Sequence, residues 1–180
     1  MRSLLVVNLR RGALLTAVFF VLLGLAYPLA EVGIGQALFP HQVNGSLTRY
    51  GSTLIGQHWT GPRWFQGRPD ADNPMATGGT NLGPRSKALV RDVAREVALL
   101  RREGITPTPD LVTTSGSGVD PDIAPVDAYA QVAAVAKARG LPVAVLRRLV
   151  ASQVHEPELG FLGSPYVDVL QLNEALARLG

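Results

Sequence analysis

The feature that most constrains this chain is a run of 19 consecutive uncharged residues from Gly12 to Ala30. A helix rises about 1.5 Å per residue, so roughly 20 residues cross the ~30 Å hydrocarbon core of a bilayer. Apolar residues face every side of such a helix, whereas a helix on a soluble core keeps a polar face. The run therefore predicts a single transmembrane helix over residues 12–34, with Tyr27 near one interface.

Two other interpretations of the apolar run are open at the level of sequence. A basic start followed by an apolar segment is also typical of a cleaved signal peptide. The run is longer than the roughly 7–15 residues of a signal core, however, and Pro28-Leu29-Ala30 is a poor cleavage site. The other alternative is a buried core helix of a soluble protein.

The charge distribution predicts how a membrane helix would be oriented. Arg2, Arg10 and Arg11 are the only charged residues before Glu31, and the positive-inside rule places such a basic end in the cytoplasm. We therefore expect residues 1–11 to form a short cytoplasmic tail, with the bulk of the chain outside. The other 14 basic residues balance 14 acidic ones, so no basic surface for nucleic acid is expected.

Beyond the membrane helix, the pattern predicts one extracytoplasmic α+β domain over residues 35–180. Residues 35–85 are rich in glycine, proline and aromatic residues without a helical period, which is typical of short strands and ordered loops. Within them, Trp59, Trp64 and Phe65 are predicted to form an aromatic core cluster.

The later elements alternate between helical and extended patterns. Apolar spacing and terminal Pro and Gly residues predict three helices, at about 84–103, 125–139 and from Pro142 onward. Short strands are predicted at 111–114 and 166–170, and Asn173 is predicted to cap a last helix ending at Leu179.

The chain lacks the residue sets of most catalytic and metal sites. It has no cysteine, which excludes disulfides and thiolate ligands. Neither lysine follows a glycine as in a phosphate loop, and His41, His58 and His155 are far apart in sequence. We therefore predict no catalytic residue, no metal ligand set and no stably bound cofactor.

Two partial matches to known sites also fail. Asp70 and Asp72 begin like a calcium loop, but Met75 stands where the sharp turn requires glycine. Ser117 is preceded at the required position by Ser115 instead of glycine, so no nucleophile elbow is encoded. A membrane-tethered hydrolase consequently has no nucleophile and base that we can assign.

Two loops, 76–84 and 112–121, are dense in glycine and hydroxyl residues. Such loops let backbone amides and small polar groups approach another surface closely, although a pair of tight turns packed on each other would have the same composition. If the loops contact a partner or a nucleotide, the candidate residues are Gly78, Gly79, Asn81, Gly83, Ser115, Gly116, Ser117, Gly118 and Asp120.

Several loop motifs in one order resemble the KdpC family. After the membrane helix come FQGRP at 65–69, GGTNLGP at 78–84, LVTTSGSGVDP at 111–121 and LGFLG at 159–163. The resemblance covers essentially the whole chain. It implies the small accessory subunit of the bacterial and archaeal Kdp potassium-transporting P-type ATPase, located in the bacterial inner membrane.

The resemblance also implies partners within the lipid bilayer and a non-catalytic role. The partners would be the channel-like potassium subunit KdpA, the ATP-hydrolysing subunit KdpB and a small membrane peptide. The family is described as a catalytic chaperone that supports assembly and raises the ATP affinity of KdpB. The predicted topology puts the loops outside, whereas ATP is cytoplasmic. An effect on ATP affinity would therefore require either the opposite orientation or a coupling transmitted through the complex. The alternative is a membrane-anchored extracytoplasmic scaffold unrelated to ion transport.

Two positions depart from the family pattern that the resemblance suggests. Thr80 stands where a serine is more frequent, and Asp122 stands where a histidine commonly follows the Asp-Pro pair. Asp122 beside Asp120 is expected to add negative potential near an outer potassium entry.

Overall fold

The computed structural model describes residues 2–179, with only the backbone for Arg2, and divides the chain into two units, Met1–Ser46 and Leu47–Gly180. In the first unit lie α1 (Arg2–Val21), a π-helical turn (Leu22–Ala26), α2 (Tyr27–Leu38) and α3 (Pro40–Val43). In the second unit lie α4 (Lys87–Arg102), α5 (Pro109–Val112), β1 (Asp122–Ile123), α6 (Pro125–Arg139), α7 (Val143–Ser152), β2 (Val167–Asp168) and α8 (Val169–Ala177). Helices with one small sheet confirm the α+β class.

The first unit contains a helix that is long and apolar enough to cross a membrane, Ser3–Leu38. None of its most apolar window is buried, which argues against a core helix of a soluble protein. It begins before residue 12 and ends after residue 34, so it contains the whole predicted span. The boundary of the outer domain at residue 35 stays a prediction.

The π-helical turn in this helix has a local cause. The N–H of Tyr27 donates to the carbonyl of Leu22, five residues back. Pro28 follows, and its ring has no N–H and clashes with the carbonyl four residues earlier. The wider turn accommodates the proline without ending the helix.

The core of the second unit is built by α6, α7 and α8 around the two short strands. β1 and β2 pair antiparallel, with Asp122 opposite Asp168 and Ile123 opposite Val167. The buried apolar side chains of this core are Phe65, Ile123, Ala128, Val132, Val135, Ala136, Leu146, Val150, Val167, Val169, Leu172 and Leu176. A smaller cluster of Leu100, Ile105 and Leu111 joins α4 to α5.

Two helices have the termini that the sequence predicts. Gly104 after α4 and Gly140 after α6 adopt left-handed φ angles of 74° and 70°. In each case the next residue's N–H bonds to a carbonyl five residues back, Ile105 to Leu100 at 2.9 Å and Leu141 to Ala136 at 3.0 Å. This arrangement satisfies helix-end carbonyls and explains why both helices stop where they do.

The aromatic prediction is confirmed in the segment that precedes the candidate loops. Phe65 is fully buried, and Trp59 and Trp64 pack against the same core. The two indole rings lie 4.9 Å apart, and the guanidinium of Arg139 lies 4.4 Å from the Trp64 ring. The segment is therefore attached to α6 through Arg139, whose guanidinium lies over the Trp64 ring and donates to the Arg63 carbonyl at 2.7 Å.

One predicted strand and one predicted cap are wrong, and a second predicted strand is shorter than expected. Residues 111–114 are not extended throughout, because Pro109 starts the short helix α5 and buries Leu111. Only Val167–Asp168 of the segment 166–170 is a strand, since the side chain of Asp168 caps α8 by accepting from the N–H of Gln171 at 2.8 Å. Short strands are also predicted for residues 35–85. That segment contains helix ends, loops and one isolated bridge between Leu47 and Ser52, and no strand longer than that bridge.

Asn173 lies inside α8 instead of capping it, and it has a different structural role. Its side-chain oxygen accepts from the N–H of Phe65 at 2.9 Å, and its nitrogen donates to the Phe65 carbonyl at 2.9 Å. Gln131 on α6 pairs in the same way with the backbone of Gln66, at 2.7 and 3.0 Å. Two buried amides thus hold an irregular segment as a neighbouring strand would.

We predict that Asn173→Ala destabilises the chain by about 2–4 kcal/mol, because it leaves the buried N–H and C=O of Phe65 without partners. Chemical denaturation of the detergent-solubilised chain measures this. Gln153→Ala is the control, since the Gln153 amide donates only to the adjacent Ser152 carbonyl, and it should change stability by less than about 0.5 kcal/mol. Equal effects of the two variants would contradict the assignment of Asn173 as the partner of the Phe65 backbone.

Candidate functional site

The candidate loops are organised around the carboxylate of Asp70, which is buried. One oxygen accepts from the N–H of Ser115 at 2.7 Å. The other accepts from the Ser115 hydroxyl at 2.5 Å and from the N–H of Asp120 at 3.0 Å. Three donors on one carboxylate close the loop between residues 115 and 120 into a fixed shape.

The Ser115 hydroxyl extends this network within the loop. Its oxygen also accepts from the N–H of Gly118 at 2.8 Å and lies 3.1 Å from the Ser117 hydroxyl. Ser115 is buried and its hydrogen-bonding capacity is used. In the described chain, none of its hydrogen-bond partners is a histidine, and its hydroxyl donates to the Asp70 carboxylate, which also holds the loop backbone.

Three other segments bond to the backbone of the same loop. The N–H groups of Gly56, Asp72 and Gly78 donate to the carbonyls of Val119, Gly118 and Ser117, at 2.7, 3.2 and 2.6 Å. The bond from Gly78 joins the two glycine-rich loops directly. The loops therefore pack on each other, as their composition allowed.

An ion pair supports the base of this structure. The Arg68 guanidinium contacts the Asp110 carboxylate at 2.5 Å and also donates to the Thr113 hydroxyl at 3.3 Å and the Thr114 carbonyl at 3.5 Å. The second oxygen of Asp110 accepts from the N–H of Ala124 at 3.0 Å. Arg68 and Asp110 thus tie α5 and β1 to the segment that carries Asp70.

The glycines allow the two loops to approach closely. Gly118 has φ of 71°, and a Cβ added there would lie 2.8 Å from the Gly78 carbonyl oxygen. A Cβ at Gly79 would lie 3.1 Å from the Gly116 carbonyl oxygen. Only a residue without a side chain fits these contacts without moving the backbone.

The structure brings the predicted residues together but divides them into two groups. Ser115, Gly118 and Asp120 face the network inside the loop pair. The exposed group consists of Gly78, Asn81, Gly83, Gly116 and Ser117, with Gly79 partly exposed. We call this second group, with Gly79, the exposed loop edge. Asn81 has φ of 54°, a conformation that Asn tolerates better than most residues.

Sequence reasoning missed the residues that hold the loops. The sequence pattern around Asp70 indicates only the start of a calcium loop, and no motif marks Asp110. The signal for Arg68 was present, since it lies in the FQGRP motif beside Asp70. Among the described residues, no group of three or more His, Asp or Glu side chains is arranged to hold a metal ion.

Asp122 lies at the other end of the same loop. It faces Asp168 across the two strands, and its N–H donates to the Asp120 carboxylate at 3.1 Å. Burial, followed by the charges of Asp168 and Asp120, raises the pKa of Asp122 to about 6. At neutral pH this carboxyl is thus mostly ionised, and its ionisation lowers the stability of the folded state.

Comparison with known proteins assigns the chain to a family. Residues 9–178 match the sequence model of the KdpC family, described as "K+-transporting ATPase, c chain". The chain belongs to the KdpC family. This confirms the resemblance that the loop motifs carry.

Individual relatives agree over nearly the full length. The Potassium-transporting ATPase KdpC subunit of Caulobacter vibrioides is 46% identical and covers 94% of this chain and 92% of its own. The subunit of Sorangium cellulosum is 49% identical and covers 94% of this chain and 96% of its own. The subunit of Geobacter sulfurreducens is 42% identical and covers 96% of this chain and 98% of its own. The similarity to these relatives therefore extends from the N-terminal helix through α8. The comparisons do not favour the alternative of a scaffold unrelated to ion transport.

We predict that Gly118→Ala destabilises this KdpC chain by about 1–3 kcal/mol, because alanine is strained at a left-handed φ and its Cβ collides with the Gly78 carbonyl. Gly116→Ala is the matched control, since nothing lies within 4 Å of its added Cβ and its φ is not left-handed. Denaturation midpoints of the two variants measure the difference. A midpoint for Gly118→Ala equal to that of Gly116→Ala would refute the close approach.

We predict that Asp122→Asn removes part of the pH dependence of stability. The pKa of Asp122 is raised in the folded state, so its contribution is fully present below about pH 4 and is lost as pH rises through about 6. Allowing for solvent screening of a half-buried group, the variant should be about 1–2 kcal/mol more stable than the wild type at pH 8 and similar to it at pH 4.

Denaturation curves at pH 4, 6 and 8 measure this dependence. Asp92→Asn on the exposed surface of α4 is the control, because it changes the net charge equally outside the Asp122 cluster. A stability difference between Asp122→Asn and wild type that is the same at all three pH values would contradict the prediction.

Proposed function

We propose that this chain is an accessory, non-catalytic subunit of a potassium-transporting P-type ATPase, anchored by its N-terminal helix. The observation that carries the proposal is the match to the KdpC family over residues 9–178. The relatives that agree with it are each named as a subunit of a potassium-transporting ATPase.

The orientation that we propose has the N-terminus in the cytoplasm and the 47–180 unit outside the bacterial inner membrane. Arg10 and Arg11 precede the most apolar part of the helix, and no acid precedes it. The 47–180 unit would then meet the outer surface of the channel-like subunit KdpA. KdpB and a small membrane peptide complete the proposed assembly.

The exposed loop edge is the surface that we propose for contact with KdpA. Asp70 and Ser115 hold the backbone around Gly116 and Ser117, and the Gly78 N–H bonds to the Ser117 carbonyl. Docking would therefore order little additional chain at these residues. Small residues along the edge let a partner's backbone approach closely. The rigid geometry supports a docking role more than a catalytic one.

We further propose that any effect on ATP affinity passes through the complex. An open cleft of about 440 Å³ lies beside the loops, but it is lined by Asp72, Glu96 and Glu103. Arg68 also lines the cleft, and its guanidinium is already paired with Asp110. These charges repel the phosphates of a nucleotide, which supports an indirect coupling to KdpB over direct ATP binding.

We predict that the C-terminally tagged chain, purified from native membranes in mild detergent, retains a channel-like potassium subunit and a P-type ATPase. Mass spectrometry of the purified material identifies them. Gly116→Trp should fold, since no atom crowds its Cβ position, yet retain at least about tenfold less of both partners because the indole blocks the exposed loop edge.

Ala133→Trp on the exposed surface of α6 is the matched control and should retain both partners. Recovery of the tagged wild-type chain alone would refute the subunit assignment. Full retention by Gly116→Trp would refute the docking surface while leaving the subunit assignment intact.

A further inference from the structure

A closed hairpin at residues 155–166 projects from the second unit. His155 and Tyr166 exchange two backbone hydrogen bonds, at 2.8 and 3.1 Å, and their rings stack 4.7 Å apart. Nearer the tip, Glu158 and Leu162 exchange two more, at 3.0 and 2.9 Å. The hairpin is therefore held by its own backbone and ring contacts and has a defined shape.

The tip of this hairpin exposes apolar side chains. The exposed fractions are 80% for Leu159, 72% for Phe161 and 52% for Leu162. Three large apolar residues within four positions form a protruding cluster in contact with water. Isolated exposed apolar residues are ordinary, but a contiguous protruding group is typical of a contact with another surface.

The backbone at Leu159 is strained. Its φ is 54°, a region in which glycine or asparagine is comfortable and leucine is not. The side chain contributes little to the core, since most of it is exposed. A strained backbone that keeps an exposed leucine indicates a function for that side chain outside the folding of this chain.

The charges around the tip restrict what it contacts. Glu156 and Glu158 precede the apolar group, and no lysine or arginine occurs in sequence between Arg148 and Arg178. An anionic lipid surface would repel such a segment. A protein surface with an apolar pocket and a basic rim is complementary to it.

We propose that the hairpin 155–166 inserts Leu159 and Phe161 into an apolar pocket with a basic rim on another protein subunit. The identity of that subunit as part of the potassium-transporting assembly rests on the proposed function above. The hairpin is a second contact, separate from the exposed loop edge, and its shape exists before binding.

Leu159→Gly provides the sharpest test, because it should reduce assembly without reducing stability. Glycine relieves the strain at φ of 54°, so the thermal midpoint should stay equal or rise. Loss of the leucine from a partner pocket should reduce the partner retained by the tagged full-length chain at least about tenfold. Phe161→Ser should lower retention similarly without lowering the midpoint.

Two controls match these variants. Val126→Ser removes an apolar side chain that is 60% exposed on α6, and it should leave retention unchanged. Glu158→Lys should weaken retention, whereas Glu103→Lys makes the same charge change away from the hairpin and should not. All variants are co-expressed with the other genes of the assembly and purified in the same detergent.

The outcomes separate this proposal from the proposed function. Wild-type retention by Leu159→Gly and Phe161→Ser would overturn the hairpin proposal alone. Loss by these variants of partners unrelated to potassium transport would support the hairpin and overturn the proposed function. Wild-type recovery without any partner would overturn both. Flotation with phosphatidylglycerol vesicles that depends on Leu159 and Phe161, with subunit retention intact, would assign the hairpin to the membrane and overturn the protein pocket.

Discussion

The second unit depends on the buried carboxylate of Asp70. The loop from Ser115 to Asp120 has no secondary structure that could satisfy its own N–H groups, and a buried group left unpaired is costly. Asp70 accepts from two of these N–H groups and from the Ser115 hydroxyl. In the sequence, Asp70 resembles the first ligand of a cation site. In the structure, its carboxylate instead holds the backbone of the chain's own loop.

The predictability of the fold follows from how local each signal is. The start of α6 at Pro125 and its end before Gly140 depend on residues within one turn of each terminus, so the sequence alone places them. Asn173 resembles a cap because it is polar and precedes a helical pattern. Its actual partner, Phe65, lies 108 residues away, and no local pattern encodes that contact.

The candidate site shows the same division. Glycine and serine density identifies the loops at 76–84 and 112–121, because close packing needs small residues in both. Composition does not distinguish Ser115, turned inward to Asp70, from Ser117 at the exposed edge. That distinction requires the position of a carboxylate 45 residues earlier, which only the tertiary structure supplies.

A fixed domain limits how an accessory subunit acts on its partners. A ligand shifts a conformational equilibrium only by the difference in its affinity for the two states. If the 47–180 unit changes ATP affinity in KdpB, it must bind one state of the assembly more tightly than the other, and ATP must change its binding by the same factor. The strained tip at Leu159 and the edge at Gly116 are two separate surfaces on which such a difference could arise. Because hydrogen bonds within the chain hold the backbone at both surfaces, we expect the conformational change to lie in the partner.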